Sequence, residues 1–447
     1  MSKRNYRQYA VYLIYFQIIY NIAIKYLIAA FNVPSILNYV TDVVTIAILI
    51  LSINGLRKEN FFSKYKGISI IIVLLMANIV IGLLANGGNI LLVLWAFRNT
   101  YRFFIFAICC MINLTKKDIQ RMMTWFLYSL PVNVILCTIQ YIHLQATTSV
   151  YVKTYAGDFV GGMFGQLQGS NAIMNLYLFS ILAYGFSCYI FKKMNLLKLT
   201  LLCAMVFYIA ILAEMKIVYV EFFIILILTM LLNRPTKKTV LIIISGFIMI
   251  PIIYYAWNYY NSESASILNL TNMIGYLGDQ GYSGSHSVNR LNAIPKVYEI
   301  IFNKDGVSNL FGIGLGNGEH SIYSFMESQI YLYYNSLHYI YFSQSILYLE
   351  TGLIGLLLYV SYFVANFITT CKYKLVAVNS DFDLIFLNFA QLFSVACIIT
   401  IFYNSALRSE AGGYFAFLWI SVPYIWYRNM EEIVEPMVKK RISFSYY

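Results

Sequence analysis

The sequence predicts an all-α polytopic membrane protein with about 12 transmembrane helices and a large, partly helical extracytoplasmic loop. The first observation is composition: 60% of the 447 residues are hydrophobic and 11% are charged, whereas about a quarter of the residues of a soluble domain are charged. The second is that the apolar residues form continuous runs of roughly 17–25 residues, the length of a helix that crosses a bilayer. Because lipid offers the backbone no hydrogen-bond partners, we expect these runs to be helices.

The apolar runs divide the chain into three parts. Residues 1–257 contain the first nine predicted helices, residues 258–338 form the large loop, and residues 339–447 contain the last three helices and a short cytoplasmic tail. The predicted helices cover residues 9–31, 36–54, 68–86, 89–113, 121–143, 170–191, 199–213, 217–232, 239–257, 339–366, 382–403 and 412–427.

The basic residues predict how these helices are oriented. The chain has 31 Lys and Arg residues against 19 Asp and Glu, a net charge of +12. If both termini lie in the cytoplasm, most of the basic residues fall in cytoplasmic connections, as the positive-inside rule requires. The positive charge is therefore explained by topology. The expected partner is the lipid bilayer, and no nucleic-acid partner is predicted.

Two arginines, Arg98 and Arg102, lie inside the predicted helix 89–113. A charged side chain near a helix centre costs about 2.5–3.5 kcal/mol on insertion scales, so such residues are candidates for function. Residues four apart share one face of a helix, and two guanidinium groups on one face could hold a phosphate. The alternative is that they pair with an acid of the bundle, such as Asp42, or extend to the membrane surface.

A tight hairpin, ILAEMKIVYVEFF, joins two short predicted helices and contains Lys216. This position predicts that Lys216 lies at the outer membrane surface and faces the interior of the bundle. Lys216 could bind an anionic substrate there, or it could form an ion pair with Glu214 or Glu221. The sequence leaves both interpretations open.

The large loop contains further candidates. Arg290 precedes the stretch AIPKVYEIIF, whose apolar residues follow helical spacing, and helix N-termini are ready anion sites. The run GIGLGNG, which includes Gly314 and Gly316, indicates tight turns and close backbone approach. His338 lies among tyrosines such as Tyr341, either as part of an interfacial aromatic belt or as a proton acceptor near neutral pH.

Four segments, in this order, resemble the O-antigen polymerase and O-antigen ligase superfamily (Wzy-type polysaccharide polymerases). They are FGQLQGSN, the hairpin EMKIVYVEFF, the stretch NRLNAIPKVYEIIFN with LFGIGLGNG, and LHYIYFSQSILYLETGLIGLL, whose E-x-G-x-x-G pattern begins at Glu350. Two positions differ from the family. Lys216 stands where the family has arginine, and Tyr341 stands where it has histidine, three residues after His338.

The resemblance implies a polysaccharide (O-antigen, capsule or exopolysaccharide) polymerase in the bacterial cytoplasmic (inner) membrane. Such an enzyme is a glycosyltransferase without a cofactor, and we expect it to be metal-independent because no carboxylate cluster of metal-ligand type appears in the predicted outer segments. It transfers an undecaprenyl-diphosphate-linked glycan onto a lipid-linked repeat unit at the outer face, alongside flippase and chain-length regulator proteins. Lys216 and Arg290 would stabilise the leaving diphosphate, and His338 would accept the proton of the acceptor hydroxyl. The substrate-binding residues implied are Arg98, Arg102, Asn171, Tyr341, Gly314 and Gly316.

Three other functions remain open at this point. An O-antigen ligase, which transfers the finished glycan to another acceptor, shares these motifs. A lipid-linked sugar flippase or transporter should keep its charges in a central cavity, whereas most candidates here are predicted on the outer side. In a binding or scaffold protein, Lys216 and Arg290 would form structural ion pairs only.

Overall fold

A computed structural model describes residues 3–233, 240, 287–321, 323–376 and 380–428. Within these ranges every regular element is a helix and no strand is present. Seven of the helices are long and apolar enough to cross a membrane, and a bent helix pair would make an eighth. The protein is therefore an all-α, multi-pass membrane protein. The predicted helix 239–257 (apart from residue 240), the part of the large loop at 258–286 and the tail after residue 428 lie outside the described residues.

Twelve main helices are numbered here in chain order. They are α1 (Lys3–Phe31), α2 (Val40–Lys58), α3 (Lys66–Asn86), α4 (Ile90–Thr100), α5 (Arg102–Asn113), α6 (Lys116–Ala146), α7 (Ser170–Ile190), α8 (Leu196–Leu212), α9 (Ile217–Leu232), α10 (Ser343–Val376), α11 (Asp381–Tyr403) and α12 (Glu410–Ile420). Short helices lie at Phe61–Lys64, Val150–Thr154, Ala156–Phe159, Ala293–Lys296, Val297–Ile301, Gly306–Phe311 and Gln329–Tyr334, and short 3-10 turns at Ser35–Tyr39, Gly162–Phe164, Ser324–Met326, Asn335–Leu337, Tyr339–Tyr341 and Ala406–Arg408.

The helices form a buried centre and a lipid-facing periphery. In the most apolar stretches of α7 and α11, 94% and 78% of the residues are buried, against 28–33% in α1, α2, α3 and α6. The peripheral helices expose large apolar side chains, such as Val43, Ile50 and Leu84. Exposed apolar surface on this scale is the mark of contact with lipid rather than water.

The predicted helix 89–113 is broken. It consists of α4 and α5, which meet at 47° around Tyr101. The expectation that Arg98 and Arg102 share one face of one helix is therefore wrong, because the break lies between them. The bend contains neither proline nor glycine, the usual local signals of a kink. The fully buried Tyr101 packs edge-on against Tyr359 of α10 at this point.

The glycine run, residues 312–318, folds back onto the helices. The amides of Gly316 and Gly318 donate to Oε1 of Glu350 in α10, at 3.0 and 3.3 Å. Gly352 interrupts α10 with a φ of 68°, and a Cβ atom there would lie 2.2 Å from the carbonyl oxygen of Leu310. The described part of the large loop is thus anchored on α10 by close backbone contacts that only glycine permits.

Candidate functional site

The turn between α8 and α9 is tight because Glu214 adopts a left-handed conformation, with φ of 51°. The amide of Met215 donates to the carbonyl oxygen of Ala210, and the amide of Lys216 to that of Glu214. Lys216 then immediately precedes the first turn of α9. The turn therefore places a cation and a carboxylate side by side at this end of the bundle.

A second segment packs on this turn through Asn171, near the start of α7. The Asn171 side-chain amide lies 3.2 Å from Oδ1 of Asp158 and 3.4 Å from the carbonyl oxygen of Ala213, the last residue before Glu214. The Glu214 side chain also covers Gly157, where a Cβ atom would lie 2.6 Å from the Glu214 Cγ. Glycine at 157 is thus what allows Asp158 to approach the turn.

Arg290, which is distant in sequence, lies close enough to Asp158 and Lys216 to act on the charge of both. Its guanidinium carbon lies 4.2 Å from the ring centre of Tyr403 and 5.4 Å from that of Phe342, and its Nε donates to the Tyr403 carbonyl oxygen at 3.2 Å. Aromatic faces attract a guanidinium by about 0.5–2 kcal/mol. The side-chain amide of Gln344 donates to the Arg290 carbonyl oxygen. We call Asp158, Asn171, Glu214, Lys216 and Arg290 the hairpin site.

The charges of the hairpin site act on one another. Burial raises the pKa of Asp158, against the opposing effects of Asn171, Arg290 and Lys216. Burial also lowers the pKa of Lys216, an effect that Arg290 reinforces and that Glu214 and Asp158 oppose. Glu214 has a raised pKa because of burial and of the neighbouring Asp158. The hairpin site thus combines two cations with two carboxyl groups whose ionised forms are disfavoured.

His338 lies on a segment joined to that of Arg290. The amide of Val288 donates to the carbonyl oxygen of Leu337 at 2.8 Å, so the residues before Arg290 run beside those before His338. His338 is in the left-handed region (φ 56°), and its ring stacks on Tyr341 with centres 5.2 Å apart. Tyr341 is 44% exposed. The structure therefore places His338 and Tyr341 next to Phe342, which contacts Arg290.

Arg98 and Arg102 belong to a separate group, the arginine cluster, with Lys25, Asp42 and Glu410. Arg98 contacts Asp42 at 2.8 Å and Glu410 at 2.6 Å, and Arg102 also pairs with Asp42. Lys25 lies 3.3 Å from the second oxygen of Glu410. The alternative in which the two arginines pair with Asp42 is thus the one observed. Their charges are largely compensated inside the protein.

The two glycines predicted to bind substrate contact helices instead. The Gly316 amide is occupied by Glu350, and a Cβ atom on Gly316 would lie 2.4 Å from the Leu92 carbonyl oxygen of α4. Gly314 lies against Gly82 of α3. These contacts are with α3, α4 and α10, not with α8 or α9. The turn-forming role indicated by the glycine spacing accounts for both residues.

Sequence reasoning did not single out Asp158, Tyr403 or Glu410. Asp158 is an isolated acid in the segment 144–169, between two of the predicted helices. Glu410 immediately precedes an apolar run, and a carboxylate at that position is typical of the first turn of a helix. Their partners are distant in sequence, and no local pattern relates an acid to a cation in another helix.

Among the residues that the structure describes, no three His, Cys, Asp or Glu side chains are grouped to hold a metal ion. No protein-family model matches the chain, and no curated protein is significantly similar to it in sequence. A functional assignment therefore depends on the charges and geometry of the described residues.

Proposed function

We propose that the protein is a polysaccharide polymerase that transfers an undecaprenyl-diphosphate-linked glycan onto a lipid-linked repeat unit. The observation that carries the proposal is the convergence of Lys216 and Arg290, from two distant segments, on one half-buried site. Two fixed cations suit a diphosphate, and the two nearby carboxyl groups are easily neutralised because their pKa values are raised. The resemblance of the surrounding segments to Wzy-type polymerases points to the same reaction.

In the proposed reaction, the acceptor hydroxyl oxygen forms a bond to the anomeric carbon of the donor sugar. The bond from that carbon to the diphosphate oxygen breaks, and its electron pair leaves with undecaprenyl diphosphate. Lys216 and Arg290 stabilise the negative charge that develops on the diphosphate. His338 accepts the hydroxyl proton, and Asn171 and Tyr341 contact the sugars. The reaction needs no metal ion, since the fixed cations take that role.

The proposal includes a topology of about 12 transmembrane helices in the bacterial cytoplasmic membrane. Both termini lie in the cytoplasm, and residues 258–338 lie on the outer side. A flippase then delivers the lipid-linked units to the hairpin site, and a chain-length regulator is a second partner. Arg98 and Arg102 can contact a substrate only if it displaces Asp42 or Glu410, which now pair with them.

The test is chain extension by the purified protein supplied with lipid-linked repeat units. Lys216→Ala should abolish extension at normal protein levels, whereas Lys216→Arg should retain part of it, because arginine keeps the charge with a different geometry. The matched control is Lys153→Ala, which removes an exposed cation from the connection between α6 and α7. EDTA should leave the activity unchanged. Wild-type extension by the Lys216→Ala variant would refute the role of the hairpin site.

The same assay distinguishes a polymerase from a ligase. A polymerase yields longer chains on the polyprenyl lipid, whereas a ligase leaves chain length unchanged and moves the glycan to another acceptor. In cells that lack the protein, the corresponding results are single repeat units on the lipid and long unattached chains, respectively. Accumulation of repeat units on the cytoplasmic face would instead indicate a flippase.

A further inference from the structure

A groove runs along the membrane-facing side of the bundle between α1 and α6, outside the proposed catalytic site. It encloses about 490 Å³, and its walls are almost entirely apolar. Ile22, Ala23 and Tyr26 of α1 form one wall, and Tyr128, Val132 and Leu136 of α6 form the other. Residues of α6 spaced three or four apart lie on one face of the helix, so this wall is continuous.

The groove has two different ends. At one end, Met163 of the turn Gly162–Phe164 contributes to the lining, and that turn packs on both α1 and α6. At the other end the apolar wall continues, through Tyr128 and Trp125, into a second depression of about 560 Å³. This depression is lined by Lys117, Gln120, Arg121 and Thr124. The groove is therefore apolar along its length and basic at one end only.

The basic residues at this end of the groove differ from the neighbouring Lys116 and Asp118, which have partners inside the protein. Lys116 points into the bundle, where it pairs with Asp383 at 2.9 Å, and Asp118 closes the helix start in a capping box with Thr115. Lys117 and Arg121 are exposed on the groove side. Neither forms an ion pair with another residue that the structure describes. Arg121 also interacts with the Tyr15 hydroxyl of α1. Two cations that form no ion pair with a described carboxylate thus stand at one end of the apolar groove.

We propose that this groove binds one anionic glycerophospholipid. Its phosphate lies on Lys117 and Arg121, its ester groups lie beside Gln120 and Thr124, and one acyl chain follows the apolar wall of α6. The two cations at the basic end favour a lipid over an apolar helix as the occupant, because an apolar helix would offer them no anionic partner. The inference uses no part of the hairpin site and does not depend on the proposed reaction.

The test uses the fluorescence of Trp125, which lines both parts of the groove and is 41% exposed. The full-length protein is placed in phosphatidylcholine nanodiscs that contain increasing amounts of brominated phosphatidylglycerol or brominated phosphatidylcholine. Subtracting the signal of the Trp125→Phe variant isolates the quenching of Trp125. Half-maximal quenching should need about thirty-fold less brominated phosphatidylglycerol, since two basic residues near the surface together contribute about 2 kcal/mol.

Two variants make the result specific. Lys117→Gln/Arg121→Gln should abolish the preference, whereas Lys192→Gln/Lys193→Gln, which neutralises two exposed lysines in the connection after α7, should leave it unchanged. Ala23→Phe, which narrows the groove, keeps the charges and adds no tryptophan, should reduce the quenching of Trp125 by both lipids. Equal quenching by the two lipids in the wild-type protein would overturn the proposal. So would a Trp125 that neither lipid quenches, since the groove would then be covered by another copy of the chain.

Discussion

The half-buried position of Lys216 makes anion binding at the hairpin site dependent on pH. Burial lowers the pKa of Lys216 and raises that of Asp158. As the pH rises, Asp158 and Glu214 ionise above the usual carboxylate pKa of about 4, and Lys216 loses its charge below the usual lysine pKa of about 10.4. Both changes make the site less positive. Affinity for a lipid-linked sugar diphosphate, a diester of constant charge, should therefore fall with pH in two windows, as titration calorimetry can measure.

Two substitutions separate these windows. Lys216→Arg should remove the upper one, because arginine stays protonated throughout. The double variant Asp158→Asn/Glu214→Gln should remove the lower one, because neither amide ionises. If the upper window persists in Lys216→Arg, another group is responsible for it.

Arg290 and His338 are expected to act in one chemical step. Residues that act as a unit lose activity non-additively, since the second deletion removes little that remains. Chain extension by Arg290→Ala/His338→Ala should thus lie within about three-fold of the worse single variant. If the fold-losses of the two single variants multiply in the double variant, the two residues act independently. Normal extension by His338→Ala would instead make Tyr341, His320 or Glu319 the next candidate for the base.

At the scale of the element, the kink in α10 requires glycine. An alanine at position 352 would have to adopt a positive φ, which costs about 1–3 kcal/mol, and its Cβ would overlap the backbone of Leu310. Gly352→Ala should therefore lower the unfolding temperature in detergent. Gly67→Ala is the matched control, because that helical glycine has no atom within 4 Å of a Cβ. An unchanged unfolding temperature for Gly352→Ala would contradict the observed kink.

The arginine cluster joins α1, α2, α4, α5 and α12 through charge. Glu410 accepts from Arg98 and lies near Lys25 and Arg102, so its removal leaves three cations with one carboxylate. Breaking a buried pair in this way costs about 3 kcal/mol or more. Glu410→Ala should lower the free energy of unfolding by that amount in reversible denaturation with detergent. Glu59→Ala, which breaks a single pair with Lys64, should cost less than about 1 kcal/mol. Equal losses for the two variants would contradict a cooperative cluster.

At the scale of the whole molecule, the orientation can be tested with introduced cysteines. Six of the seven native cysteines are buried, and the seventh, Cys371, is half-buried. Cys371→Ser therefore removes the most accessible native thiol. Ser336→Cys, at an exposed position of the large loop, should react with an impermeant maleimide in intact cells or spheroplasts. Lys193→Cys, exposed between α7 and α8, should react only after lysis. The reverse pattern would invert the proposed topology and the location of the hairpin site.

Much of the architecture was predictable because each apolar run carries its own signal. The runs at 9–31, 68–86, 170–191 and 382–403 each correspond to one long helix. The bend at Tyr101 and the extension of α10 to Val376 were not predictable. At the far end of α10, Lys374 is held by polar atoms of other helices, including Asn233 and Asn388. From its own segment alone, Lys374 is predicted to be a membrane-surface residue in the connection after the helix.

The candidate site was predictable only where a single segment carries a signal of its own. Lys216 and Arg290 stand out as cations in unusual local settings, but nothing in either segment shows that they meet. Asp158 and Tyr403, which share their surroundings, have no distinguishing sequence pattern.

The sequence by itself determined the fold class, because the thickness of the bilayer sets the length of each helix and lipid forbids an unpaired backbone. These constraints act on one segment at a time. Only the tertiary structure decided which charges lie together: Arg98 and Arg102 pair with Asp42 and Glu410, whereas Lys216 and Arg290 share the hairpin site with Asp158 and Glu214. The energy of a charge in a membrane protein depends on partners within a few ångströms, and those partners come from distant parts of the chain.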